Sequence, residues 1–313
     1  MVYYILRRLT MLFLVLVIVA ILAFFCVYAM PGDPVRIILG DFATKDQILQ
    51  LRHQLGLDQS VHVRFFIWLS RIIHGDFGES LFLHMPVSKA ILSRMEPTLL
   101  LAVMGQLIGI ILGVPIGVIA AVKHRTWMDR FAVAFSLAGI SIPSFWLSLI
   151  LILFFGVYLG WFPVCGYKPI SEVGFGVIKY LILPGLTLGL MQSGLIARMT
   201  RSSMLEVLGQ DYIRTAKAKG LMEYVIIMRH ALKNAFIPVV TIIGMSFGLL
   251  LGGTWIVETI YYIPGTGALA ITAIMKRDFP VIQGTMIFTA LIFVVVNLLA
   301  DISYVLLNPR IKN

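Results

Sequence analysis

SSMLEVLGQDYIRTAKAKGLMEYVIIMRHALKN, residues 202–234, is the only extended polar run in the C-terminal half of the chain, and long apolar segments flank it on both sides. Leu205, Leu208, Tyr212, Ala216 and Gly220 recur at intervals of three or four, so the spacing predicts a helix with one apolar face that ends in two small residues. Arg214, Lys217 and Lys219 surround the rest of that helix. A short amphipathic helix with a close-contact strip and a cationic flank, set between spanning segments, suits a surface on which a soluble partner pushes. The same run also fits a loop kept basic only to fix its side of a bilayer, and spacing alone does not choose between the two.

The surrounding sequence places this island in a membrane. Of 313 residues, 59% are apolar and 13% charged, which excludes an ordinary soluble domain. A formal charge of +10 could signal nucleic acid, but no stacking aromatics interleave the basic residues, and loops held on one face by Lys and Arg account for most of the excess. Of the two cysteines, Cys26 lies inside an apolar run and Cys165 in a turn, so no disulfide framework is implied. Arg7 and Arg8 precede an apolar stretch of about 22 residues, longer than the roughly 7 to 15 of a cleavable signal. No small-x-small cleavage site follows it, and it reads as an uncleaved first span.

Six segments are long enough to cross hydrocarbon: 9–30, 98–122, 131–159, 179–199, 235–257 and 281–307. The third is too short for two crossings, and Gly139 with Pro143 in AGISIPSFW predicts a kink or a re-entrant break there. With six crossings both termini share a side. Placing the N-terminus inside puts 14 Lys and Arg on the inner segments and 11 on the outer ones, where the first loop has as many acids as bases. Both termini and the island are therefore expected to face the cytoplasm. The outer insert, residues 31–97, carries apolar positions Ile48, Leu51 and Leu55, then Val63, Phe66, Ile67, Leu69 and Ile72. That pattern predicts two short amphipathic helices split by Gly56-Leu57-Asp58.

Chemistry-bearing residues are sparse. Asp301 lies inside the sixth apolar segment with Asn297 one turn before it, and Glu258 sits at the end of the fifth. Intramembrane carboxylates are costly, so these are candidate pathway or gate residues; a cap or an interhelical hydrogen bond explains them equally well. Arg198 and Arg201 close the fourth segment, where snorkelling to lipid phosphate suffices. His53, His62, His74 and His84 have no partner at helical metal-site spacing, and no metal ligand set is read. No G-x-x-x-x-G-K-[ST] loop or H-E-x-x-H is present, and no catalytic residue is assigned.

The runs DYIRTAKAKGL and RHALKNAFIP resemble the "EAA" cytoplasmic loop of ATP-binding cassette importer permeases, in the variant of the dipeptide, oligopeptide and nickel family. Arg214, Thr215 and Ala216 replace the motif's Glu-Ala-Ala start, Gly220 keeps its place, and the Ile-x-Leu-Pro ending is relaxed to Phe236-Ile237-Pro238. Similar pieces recur in order: PGDPV at 31–35, LGLD at 55–58, HGDFGES at 74–80, LAGISIPSFWL at 137–147, LGWFP at 159–163 and LILPGLTLG at 181–189. GGTWIVETIYYIPGTG at 252–267, RDFPVIQG at 277–284 and the closing NLLADISYVLLNPRIK complete the likeness over nearly the whole chain.

The resemblance implies an all-α integral membrane protein with six transmembrane helices in the type I importer permease fold. It would be one permease domain over 1–313, with an extracytoplasmic insert at 31–97 and a coupling loop at 202–234. It implies a B-type peptide permease of the bacterial cytoplasmic membrane, with nickel or glutathione import as alternatives. Implied partners are a second homologous permease, two ATPase subunits and an extracytoplasmic binding protein. ATP and magnesium belong to the ATPases and no cofactor to this chain. The coupling loop would comprise Asp211, Tyr212, Arg214, Thr215, Ala216, Lys217, Lys219 and Gly220, with Tyr212 as apolar anchor, Ala216 and Gly220 as contact residues and the three cations as rim. A self-sufficient channel or ion-coupled carrier would need charged rings or paired intramembrane acids and bases. Asp301 is one clear internal carboxylate, and no base at membrane depth pairs with it.

Overall fold

A computed structural model describes residues 2–29, 35, 39, 43–54 and 58–307, with side chains described except at 2–9, 51, 54 and 301–307. Every extended element among them is helical. In chain order these are α1 (Val2–Ala29), α2 (Lys45–Gln54), α3 (Val61–Ile73), α4 (Val87–Leu92), α5 (Met95–Val122), α6 (Trp127–Ser141) and α7 (Ser144–Leu151). Then follow α8 (Ile178–Leu208), α9 (Asp211–Ala218), α10 (Leu232–Ile260), α11 (Thr266–Lys276) and α12 (Phe279–Leu307). Among the described residues five helices are long and apolar enough to span a bilayer, or six if one bent pair is a single span.

That pair is α6 with the segment Ser144–Tyr158, bent by 104°. Its cause is local. Proline disfavours the helical conformation of the residue before it, and Ile142 accordingly lies extended at ψ 123° ahead of Pro143, which starts the next helix. The expected kink is thus a full change of direction. Beyond Leu151 the helix widens into a π-turn over Ile152–Tyr158.

The chain divides into two compact units, Met1–Glu96 with Gly265–Ile292, and Pro97–Pro264 with Phe293–Asn313. In the first, Val87, Ala90 and Ile91 of α4 pack with Leu269 and Ala273 of α11 and with Phe279, Val281 and Ile282 of α12. Buried Asp278 ties the 80s loop to this core, accepting a 2.5 Å hydrogen bond from the Ser80 hydroxyl and a 3.3 Å bond from the Leu81 N–H. The insert helices α2 and α3 flank residues 55–57, which lie outside the described residues, as do most of the PGDPV piece and residues 308–313. Trp68 and Phe65 of α3 meet the Phe24 ring of α1 at centroid distances of 5.5 and 5.3 Å.

The second unit is organised around α8, against which α5 lies almost backbone to backbone. Gly105, Gly109, Gly113 and Gly117 form one stripe of α5, and the α8 ridge Leu188, Gln192, Ile196 and Thr200 fills it. A Cβ added at Gly117 would stand 2.6 Å from the Ala197 carbonyl, and one at Gly113 2.8 Å from the Ser193 carbonyl. The fit is reciprocal, because Met104 and Ile108 sit over Gly185 and Gly189 of α8. Without a hydrophobic drive between helices in lipid, such close contact is what holds spans together.

Candidate functional site

The polar island is not one helix. The face expected to run from Leu205 to Gly220 is cut at Gly209-Gln210, where α8 ends and Gln210, extended at ψ 150°, caps the new helix α9. Asp211 in the first turn and Lys217 in the last both complement the helix dipole. At its far end Gly220 takes φ +75°, with its N–H bonded to the Lys217 carbonyl at 3.0 Å and the Leu221 N–H to the Ala216 carbonyl at 3.4 Å. Glycine terminates α9 here because the left-handed conformation penalises any Cβ, while the space around it is open.

The anchor of α9 is Ile213, not Tyr212. Ile213 is fully buried and Ala216, three residues on, nearly so; with Met204, Ala121, Ile226, Ala231 and Ala235 they form one apolar cluster. Tyr212 is 42% exposed, and its hydroxyl accepts a 2.9 Å bond from the Asn234 amide. Stepping by four from Leu208 across the Gly209 break missed this, since a chain break resets helical phase. Ala216 is accordingly taken up inside the chain, and Gly220 serves the turn. Arg214, Thr215, Lys217 and Lys219 point outward with Asp211, and the Arg214 to Asp211 pair at 3.4 Å is too exposed to matter for stability. The outward surface continues into Leu221, Met222 and Tyr224, the last two 73% and 72% exposed. Sequence reading passed over these three, although large apolar residues after a helix-ending Gly inside a polar run are themselves a signal.

Two of the candidate gate residues have described side chains, and each makes a separate contact. Glu258 is fully buried near the end of α10 and accepts a 2.7 Å hydrogen bond from Thr98 in the first turn of α5. Of the readings open to it, the interhelical hydrogen bond is the one observed. Asn297 donates at 3.0 Å to the Phe293 carbonyl one turn back on its own helix. The side chain of Asp301 lies outside the described residues.

Two polar groupings were not read from sequence. Midway along α5, α8 and α10, the Gln192 amide donates at 3.1 Å to the Ser246 carbonyl and the Ser246 hydroxyl reaches Gln106 Oε1 at 3.5 Å. Gln106 Nε2 is buried with no partner among the described residues. Near the start of α6, buried Asp129 receives the Arg201 guanidinium side-on, at 2.5 Å from Nε to Oδ1 and 3.0 Å from the terminal nitrogen to Oδ2. The Arg125 N–H and His124 Nδ1 also meet Oδ2, at 2.9 and 3.0 Å. Arg201 is therefore paired inside the protein and not turned to lipid phosphate. Its partner lies 72 residues earlier, out of reach of any local pattern.

Comparison with known proteins agrees with this architecture. Residues 113–313 match the family described as binding-protein-dependent transport system inner membrane component, and residues 1–102 match its N-terminal companion. A Brucella abortus protein provisionally named a peptide transport system permease is 44% identical over 308 residues, 98% of each chain. The glutathione transport system permease GsiC of Salmonella typhimurium is 42% identical over 99% of this chain and 98% of its own. Among solved structures, an inward-facing form of the MetNI methionine ABC transporter superposes with a TM-score of 0.56 at 19% identity, covering 68% of this chain and 93% of that one. At that identity the likeness speaks to the fold alone, and the fold is that of a type I importer permease. A helical bundle packed on α8, a short outward-facing helix joined to its end and matches along the full length together place the chain in the inner-membrane permease family of ABC importers.

Proposed function

We propose that this permease carries short peptides, glutathione among them, across the bacterial cytoplasmic membrane by alternating access. It would form one half of a pore completed by a second homologous permease, with two ATPases supplying ATP and magnesium chemistry and an extracytoplasmic protein delivering substrate. The reading rests on one observation above others. Only Ile213 and Ala216 of α9 face inward, which leaves Asp211, Tyr212, Arg214, Thr215, Lys217 and Lys219 as a continuous outward surface. A surface of cations with Tyr212, Leu221, Met222 and Tyr224 combines an apolar anchor set with a polar rim, the composition of a protein docking site. In this reading α9 and both termini lie in the cytoplasm, where the ATPases close and open, and closure moves α9 and through it the bundle.

Substrate class follows from the relatives named for peptides and for glutathione, itself a modified tripeptide. The test is uptake in a strain deleted for this permease and complemented with it. Radiolabelled alanylalanine and glutathione should accumulate only with the complementing copy, and nickel should not; nickel uptake alone would overturn the peptide reading. Met222→Glu, which places a charge on the docking surface without touching the buried cluster, should remove the ATPases from the purified complex while the permease still inserts.

A further inference from the structure

We propose that Asp129 and Arg201 form a positioning clamp that makes α6 and α8 move as one body, so that displacement of α9 reaches the bend at Pro143. This rests on the importer reading above, and it concerns residues outside the docking surface. Arg201 stands seven residues before the end of α8 at Leu208, which is about 10 Å along a helix. Only Gly209 and Gln210 then separate α8 from α9. On the other side, α6 runs from Trp127 to Ser141 and ends in the break at Ile142-Pro143. The clamp thus stands between the element that would receive the push and the segment that changes direction.

The geometry suits transmission. Arg201 engages both carboxylate oxygens of Asp129, and a two-point fork fixes angle as well as distance. Asp129 is further held by the Arg125 N–H, and Arg125 itself takes the left-handed conformation at φ 66°. Seven residues up α8 from Arg201 lies a second attachment. A Cβ at Gly194 would meet the Ser136 carbonyl at 2.8 Å, and one at Gly139 the Leu190 carbonyl at 3.0 Å. One contact leaves a hinge between two helices, whereas two contacts about 10 Å apart fix their angle. A buried ion pair is a poor source of net stability, because desolvation offsets its attraction; its use is to specify one arrangement.

The test uses the complete transporter, with both permeases, both ATPases and binding protein, reconstituted in liposomes with radiolabelled alanylalanine. Asp129→Asn keeps the shape and removes the charge; Arg201→Lys keeps the charge and removes the fork. Each should leave the complex assembled and its basal ATP hydrolysis intact while lowering substrate moved per ATP by about tenfold. The inverted pair Asp129→Arg with Arg201→Asp should recover part of that loss. Spin labels at exposed Val133 on α6 and Glu206 on α8 give a readout that a merely structural pair would not move. Their separation should be the same with and without ATP in the wild type and should change with ATP in Asp129→Asn. Unaltered coupling in both single variants, a nucleotide-insensitive distance in Asp129→Asn, or failure of both conservative variants to assemble would each overturn the clamp. Absence of ATP-driven alanylalanine uptake in the wild type would instead refute the peptide-import reading.

Discussion

Two contacts in the second unit differ in kind: α5 on α8, and α9 on its bed. The first is a glycine groove filled by a ridge over four consecutive turns, with carbonyl oxygens within 2.6 to 2.8 Å of where a Cβ would stand at Gly113 and Gly117. It has no slack. The second is an eight-residue helix seated by Ile213 and Ala216. Eight residues are too few for a helix to persist alone in water, so α9 exists because those two side chains and the closing turn at Gly220 hold it. On the proposed reading, the contrast separates a frame from a lever. Backbone contact admits one arrangement, while a shallow side-chain seat keeps a small element ordered and leaves its outer surface for a partner.

The largest expected effect breaks the frame. Gly117→Leu drives a side chain into the Ala197 carbonyl and Thr200, and overpacking of this kind costs roughly 3 kcal/mol or more. The purified permease should lose its cooperative thermal transition in detergent. Ile213→Ala attacks the lever instead. It should cost about 2 to 4 kcal/mol locally, raise hydrogen exchange across 211–220 and abolish uptake, while the rest of the bundle keeps its melting temperature. Comparable global melting in these two variants would erase the distinction between frame and lever.

Smaller changes sharpen it. Gly220→Ala meets open space, so its cost is purely conformational, about 1 kcal/mol at the end of α9, and Gly220→Asn should recover much of it. Uptake at saturating substrate, with exchange of the Gly220 and Leu221 amides, checks both. Tyr212→Phe removes only the bond from Asn234, worth about 0.5 to 1 kcal/mol, and should change exchange at 211–214 slightly and uptake less than twofold. A large effect of Tyr212→Phe would make the Asn234 bond, and not the Ile213 seat, what holds α9 in place.

Legibility followed the range of each interaction. The apolar segments, the break at Pro143 and the helix before Gly220 were readable because hydrophobic length, proline and glycine act within a few residues. The phase of α9 was misread, since Gly209 ends one helix and nothing in the spacing announces a reset. The α5 glycines were visible as a four-residue repeat but passed unremarked inside an apolar run. The Asp129 to Arg201 pair, by contrast, offered no local signal.

The amino-acid order alone determined that this is a helical membrane protein of the importer permease kind, where its polar island lies and how that island ends. Composition and dihedral preference are properties of short stretches, and they survive without knowledge of packing. Tertiary structure decided which face of α9 turns inward, that Glu258 is buried beside Thr98, and that Arg201 has a partner inside the protein. Each of those depends on residues tens of positions apart meeting in a low-dielectric interior, and only the packing of α5, α6 and α10 around α8 brings them together.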